Sequence, residues 1–331
     1  MFELAVKNPK KFYELDPNEV MQALDAAGFS PTGEYMQLNS FENRVFDLRL
    51  EPGTSSEELR DRVIAKFYRP GRWSKEAILE EHQFLLELKQ AGLPTVAPLQ
   101  QKNGSTLSEY HGMFVGLFPK FFGRMPEELF IEDYHAIGRS LAQLHNVGAR
   151  QSAKHRPYLN TDTAGWPALD FLEDWVSPEV WQRYEEAATE IFEYLESAID
   201  ENEFIRIHGD CHRGNLLHSD AAGEKPVFFF VDFDDFCMGP PAQDFWMLFT
   251  GGEDSKVEQE EILSGYEELR EFDFRQTRLF EPLRGLRIVR YAAWIASRWQ
   301  DPTFPQLFPQ FKDFNYWAEE TEALEKIAWG L

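Results

Sequence analysis

The chain has 331 residues, 43% of them hydrophobic, which is enough for a sizeable core and for two lobes rather than one compact unit. Its 57 Asp and Glu outnumber 33 Lys and Arg, and the formal net charge of -24 argues against nucleic-acid and anionic-membrane partners. That charge would attract a basic polypeptide or a cationic small molecule, although acidity that only keeps a cytosolic protein soluble accounts for the total as well. Two cysteines, Cys211 and Cys237, make no disulfide framework, and neither a leader-like opening nor a membrane-length apolar run is visible, so a soluble, unprocessed cytoplasmic protein is expected.

Asp16-Pro17-Asn18-Glu19 predicts a helix start, a capping aspartate with proline in the first turn, and Gly28 its stop. Alternation from Leu38 to Leu50 and from Arg62 to Tyr68, across the turn Glu51 to Ser56, predicts a strand pair opening a sheet lobe. Between the first strands, Asn39-Ser40-Phe41-Glu42-Asn43-Arg44-Val45 has no glycine run. It is either an ordinary strand turn or a loop whose backbone N–H groups and Ser40 hydroxyl meet phosphates. Lys66 sits inside the apolar strand Val63–Phe67. A lysine on a half-exposed strand is commonly solvated, but this one has a candidate partner. Ser74 caps a predicted helix ending near Gly92, with Ile78, Leu85 and Leu88 as its buried stripe and Glu81 on that stripe. A carboxylate among core positions needs a cation, which favours Glu81 over Glu80 as the partner of Lys66.

The apolar run Met113 to Gly123 ends in Pro and Gly and reads as a hinge, dividing a nucleotide-binding lobe, 1–118, from a catalytic and acceptor-binding lobe, 119–331. Beyond it, helical spacing from Tyr134 to Gly148, Trp181 to Ile199 and Leu279 to Trp299 makes the second half mostly helical. His145 is taken as structural.

The chemistry-bearing residues lie in that half. His208-Gly209-Asp210-Cys211-His212-Arg213-Gly214-Asn215 is followed by Val231-Asp232, which closes the apolar run Val227–Phe230. An aspartate with an asparagine five residues on, then an aspartate ending a buried strand, is how kinase-type phosphotransferases assemble a base and a magnesium site. Asp210 would take or orient a hydroxyl proton, and Asn215 and Asp232 are hard oxygen donors suited to magnesium. A zinc reading of His208, Cys211 and His212 lacks a paired cysteine or spaced histidine pair.

These strings, with Gly239-Pro-Pro-Ala-Gln-Asp244, resemble the phosphotransferase family of aminoglycoside, choline and homoserine kinases. Leu38-Asn-Ser-Phe-Glu-Asn-Arg-Val45, Lys66-Phe-Tyr-Arg-Pro-Gly-Arg-Trp73, Glu80-Glu-His-Gln-Phe84 and Glu281-Pro-Leu-Arg-Gly-Leu-Arg287 narrow the resemblance. They are similar to its stress response kinase A group of bacterial Ser/Thr protein kinases. The resemblance runs from about Pro17 to Trp317. It implies an α+β, two-lobed protein-kinase-like fold with a small β-sheet N-lobe and a mainly helical C-lobe. It also implies ATP and Mg2+ as cofactors, a Ser/Thr acceptor on a protein and a role in stress response. By the same resemblance Asp210 is the proton acceptor, Asn215 and Asp232 hold the metal, Lys66 and Glu81 serve the nucleotide, and Ser40 faces ATP.

The chain departs from protein kinases at large. The catalytic loop begins His-Gly-Asp, Asp232 is followed by Phe-Asp-Asp, and neither an arginine before Asp210 nor an Ala-Pro-Glu segment is present, so a constitutively assembled site is expected. Asp244 is expected to hold the catalytic loop through its N–H groups. His212 either donates to phosphate or makes a loop contact, and Cys211 is read as inert. Arg284 and Arg287 either meet an anionic part of the acceptor or pair with Glu281. A small-molecule kinase and a nucleotide-binding regulator without turnover remain as alternative functions, and a monomer is expected because no heptad or long exposed apolar edge appears.

Overall fold

The computed structural model describes residues 12–53, 61–121, 123–219, 227–249 and 255–331. The opening segment, Thr54 to Ser56 of the expected turn and Phe122 lie outside the described residues. The order of elements is α1 (Pro17–Ala27), β1 (Pro31–Leu38), β2 (Arg44–Leu50), β3 (Arg62–Phe67), α2 (Lys75–Gln90), β4 (Leu107–Tyr110), β5 (Met113–Pro119) and α3 (Ile131–Gly148). There follow α4 (Trp166–Leu172), α5 (Pro178–Ala198), β6 (Ile205–Ile207), β7 (Leu216–Ser219), β8 (Val227–Phe230), β9 (Cys237–Gly239) and α6 (Ala242–Trp246). The chain closes with α7 (Ser255–Glu267), α8 (Phe280–Ser297), α9 (Phe304–Leu307) and α10 (Phe314–Ala328). By packing, the described residues fall into two units, one from 12–147 with 214–234 and the other from 148–213 with 235–331.

In the first unit, α1 begins on a full capping box. Asp16 accepts the N–H groups of Asn18 and Glu19 at 2.7 and 3.1 Å, and its own N–H donates to the Glu19 carboxylate. Gly28, at φ 94°, ends the helix in the left-handed conformation that an L side chain resists. α1 buries Val20 and Leu24 against Phe46, Leu48, Val63, Ala65 and Phe67 of an antiparallel five-stranded sheet with strand order β1-β2-β3-β5-β4. Each Val, Leu or Phe among them contributes roughly 1.5–3 kcal/mol when fully buried. α2 starts on Ser74, whose hydroxyl accepts the Ala77 N–H at 3.2 Å, and buries Ile78, Phe84, Leu85 and Leu88.

The second strand starts later than alternation suggests, at Arg44, and β1 lies ahead of it. β1 is exposed along almost its whole length, so it carries no apolar period from which it can be read. In the second unit, α8 and α10 lie against α5. Tyr184, Ile191 and Leu195 of α5, Leu283, Leu286 and Val289 of α8, and Trp317 and Leu324 of α10 are buried. The short strands β6 and β9 pair antiparallel, Ile207 opposite Cys237, and carry the residues that follow them toward the catalytic segment.

Candidate active site

β3 alternates. Val63, Ala65 and Phe67 enter the core beneath α1, so Ile64, Lys66 and Tyr68 face the other way, where Tyr68 packs on Ile78 of α2. Glu81, three residues on from Ile78, shares that stripe and is 1% exposed, whereas Glu80 is only half-buried. Lys66 Nζ lies 2.9 Å from Asp234 Oδ1, 3.3 Å from Glu81 Oε1 and 3.7 Å from Asp232 Oδ1, and 4.6 Å from the centre of the Tyr68 ring. Burial opposes charge on this ammonium. The carboxylates of Asp234, Glu81 and Asp232, together with Tyr68, outweigh that effect and hold its pKa well above the ordinary lysine value. Lys66 is therefore a fixed cation. The sequence pointed to Lys66 and Glu81, and the structure brings them together. It did not point to Asp234, whose burial has no local sequence signal.

Asn215 and Asp232 emerge side by side from one hairpin. β7 and β8 pair with Leu216 opposite Phe230, and the Val231 N–H donates to the Asn215 carbonyl at 2.9 Å, extending the ladder by one residue. Asp232 then turns into the left-handed region at φ 63°, which for a non-glycine residue costs about 1–2 kcal/mol and is commonly held at functional positions. Its side chain stays 57% exposed. An exposed carboxylate and a neighbouring amide fit magnesium, which takes hard oxygen donors and keeps several positions for water and phosphate. Among the described residues no group of three or more His, Cys, Asp or Glu forms a metal cage, which lends the zinc reading no support.

Ser40 lies on the loop between β1 and β2. Its hydroxyl oxygen accepts the Asn43 N–H at 3.3 Å. Ser40 and Phe41 are exposed, while Glu42 and Asn43 are buried. The loop is thus anchored by its last residues and presents Ser40 outward.

The second unit holds Asp210. After β6 the chain turns at Gly209, φ 83°, where a Cβ would come within 2.4 Å of the Asp235 carbonyl and 3.2 Å of Cys237 Sγ. Only glycine satisfies both the conformation and the space. Gly209→Ala is expected to destabilise this unit by about 2–5 kcal/mol, from the left-handed penalty plus the clash. Urea unfolding followed by fluorescence measures it, and a midpoint equal to that of the parent protein would refute the crowding argument. Asp244 accepts the N–H groups of His208 and Gly209 at 2.7 and 2.9 Å, as the sequence led us to expect, and Gln243 Nε2 donates to the Gly209 carbonyl at 3.1 Å. The loop ahead of Asp210 is thereby fixed by buried groups.

Asp210 Oδ1 is 2.7 Å from an Arg287 guanidinium nitrogen, and Oδ2 is 3.4 Å from His212 Nε2. Burial raises the carboxyl pKa, but the His212 hydrogen bond and the charges of Arg287 and the histidines outweigh it and hold Asp210 well below the usual carboxylate range. Arg284, one turn earlier on α8, pairs with Glu281, one of the roles foreseen for it, whereas the Arg287 pair with Asp210 was not foreseen. Cys211 is fully buried. Burial, then the charges of Asp244 and Asp210, push its thiol well above the ordinary value, which suits the inert reading. Cys237 is likewise pushed up to about 12 by burial.

The class these features define is an ATP-dependent kinase with a two-lobed kinase-like fold, a β-sheet lobe and a mainly helical one. Residues 34–280 match the phosphotransferase enzyme family known as APH, and the chain belongs to that family. It is 37% identical over 314 residues to stress response kinase A of Escherichia coli strain K12, covering 94% of this chain and 92% of that protein. To the serine/threonine protein kinase RdoA of Salmonella typhimurium strain LT2 it is 38% identical over 320 residues, covering 95% of this chain and 93% of the relative. Among solved structures, amicoumacin kinase hAmiN, in complex with AMP-PNP, Ca2+ and Ami, aligns with a TM-score of 0.74 over 96% of both chains at 17% identity, a likeness of fold. Among the described residues, no helix is long and apolar enough to cross a membrane.

Proposed function

We propose that this kinase transfers the γ-phosphoryl group of ATP, with Mg2+, to serine or threonine hydroxyls of a protein and that it acts in a stress response. The observation that carries the protein acceptor is the similarity, over more than nine-tenths of both chains, to a relative named as a serine/threonine protein kinase. The net charge of -24 supports an acceptor protein with a basic surface, and we take the enzyme to be a cytoplasmic monomer that phosphorylates itself as well. In this reading 1–118 serves as the nucleotide-binding lobe and 119–331 as the catalytic and acceptor-binding lobe, a functional division that differs from the packing units, in which 119–147 and 214–234 go with the first.

Lys66, held by Glu81, contacts the α- and β-phosphates, and the loop bearing Ser40 covers them. Asn215 and Asp232 would hold magnesium, which when bound would neutralise charge on the phosphates. Asp210 accepts the proton of the acceptor hydroxyl as its oxygen bonds to the γ-phosphorus. The bond to the bridging oxygen breaks, and ADP leaves with the electron pair. Arg287 and His212 hold the Asp210 carboxylate in place, and no loop phosphorylation is needed to position it in this reading. A small-molecule acceptor is the second reading, favoured by the fold shared with an amicoumacin kinase.

The test is transfer from radiolabelled ATP with magnesium to the enzyme itself, to a generic basic protein and to a panel of hydroxylated metabolites. Phosphoserine or phosphothreonine is expected. Label confined to a metabolite would replace the protein-kinase reading with the second one, and no label on any of them would defeat both.

A further inference from the structure

The loop presenting Ser40 is held by an arginine that no phosphate-binding pattern asks for. Arg69, two residues past β3, is 3% exposed. Its Nε donates to the Glu42 carbonyl at 3.0 Å and lies 3.0 Å from the Glu42 carboxylate. Its two terminal nitrogens donate to the Phe41 carbonyl at 3.2 Å and the Tyr13 hydroxyl at 2.9 Å. Its backbone N–H donates to Asn43 Oδ1 at 3.1 Å, and the Asn43 N–H in turn donates to Ser40 Oγ. The guanidinium also lies 5.0 Å from the centre of the Phe12 ring. Five planar donors in a rigid fork suit two consecutive carbonyls and a carboxylate at once, which an ammonium cannot serve in the same plane.

Arg72 continues the chain of charge. One of its terminal nitrogens is 3.6 Å from Glu42 Oε2 and 2.9 Å from Asp234 Oδ2, and the other oxygen of Asp234 pairs with Lys66. Arg69, Glu42, Arg72, Asp234 and Lys66 therefore alternate in sign across the first unit, from the loop to the strand lysine. A buried charge persists only where it is paired, so each member limits where its neighbours can go.

We propose that Arg69, with Arg72, is a positioning residue for nucleotide: the two arginines hold the 39–43 loop preformed, and so set the affinity for ATP. A glycine-rich flap is mobile and must be ordered by its ligand, whereas this loop, without glycine, is already ordered by its own protein. The inference rests on reading that loop as the one that covers the phosphates.

Arg69→Lys tests it in the full-length protein. Titration with MgATP gives Kd, and ADP release at saturating ATP gives kcat. Loss of a charged, geometrically matched contact is expected to raise Kd about tenfold while kcat stays within about twofold. A role confined to folding would lower the active fraction, and hence kcat, without moving Kd. Kd within twofold of the parent overturns the inference, as does a fall in kcat with Kd unchanged. Should Arg69→Lys not fold, Arg72→Met carries the test with the same criteria. Failure of the parent protein itself to bind ATP overturns the underlying reading and this inference together, and is seen before any variant is made.

Discussion

Asp210→Asn is expected to lower phosphate transfer by roughly 10²–10⁴-fold, the range for loss of a positioned general base, with little change in the affinity for ATP. At about 1.4 kcal/mol per decade this is about 3–5 kcal/mol of transition-state stabilisation. Asparagine keeps the shape and can still accept a hydrogen bond from Arg287, so the loop set by Gly209 and Asp244 survives and the loss is chemical. Steady-state transfer at saturating ATP, with a thermal melt alongside, separates the two causes. A variant retaining a third or more of the parent rate would remove Asp210 from the role of base. The pH behaviour follows from the same contacts. A carboxyl depressed in the folded protein stays ionised as pH falls past the usual aspartate value near 3.9, and the stability it contributes, complete above that unfolded value, is lost progressively as pH falls from there to the depressed folded pKa. An acid limb in the ordinary carboxylate range of the parent rate profile is therefore expected to come from a group other than Asp210. Arg287→Gln, by removing one of the charges that depress Asp210, moves the titration of Asp210 upward toward the ordinary carboxylate range.

Which parts were legible in the sequence follows from how far apart the partners lie along the chain. Asp210, Asn215 and Asp232 belong to one strand–loop–hairpin passage whose spacing is itself the signal. Lys66 and Glu81 were legible through two periods, alternation on β3 and helical recurrence on α2, which place both on facing sides of one layer. Arg287 was singled out, but its partner is 77 residues away, and Glu281 nearby offered an equally good local explanation. Arg69, Arg72, Glu42 and Asp234 fell within strings the sequence singled out, but nothing in those strings paired one with another. Charged residues in polar stretches read as solvated surface, and only the fold shows that Arg69, Glu42 and Asp234 are buried. Phe-Asp-Asp after Asp232, seen in the sequence as a departure from protein kinases at large, is now explained in part: Asp234 is a structural counter-ion for Lys66 and Arg72. β1 escaped for the opposite reason, since an edge strand open to solvent on both faces has no pattern to recognise.

Asp232→Asn is expected to cut transfer by about 10²–10³-fold, several kcal/mol of charge stabilisation lost with a metal ligand, while leaving the melting temperature unchanged or slightly raised. The stability half of this expectation comes from exposure. Asp232 lies 3.7 Å from Lys66 with more than half its side chain in solvent, and such a pair contributes only about 0–1 kcal/mol. Lys66 keeps Asp234 and Glu81 when Asp232 is neutralised. At φ 63° asparagine is at least as comfortable as aspartate, so the substitution adds no backbone strain. Activity measured against magnesium concentration checks the other half: the variant should need more metal for half-maximal rate, and an unchanged magnesium requirement would count against Asp232 as a ligand. Glu81 makes the contrast. It is buried beside the same lysine, and its loss would leave a buried cation short of a partner, so Glu81→Gln should lower stability and activity together. A strained, exposed aspartate with so weak an ion pair adds little to folding, and the magnesium titration asks whether its role is to hold the metal.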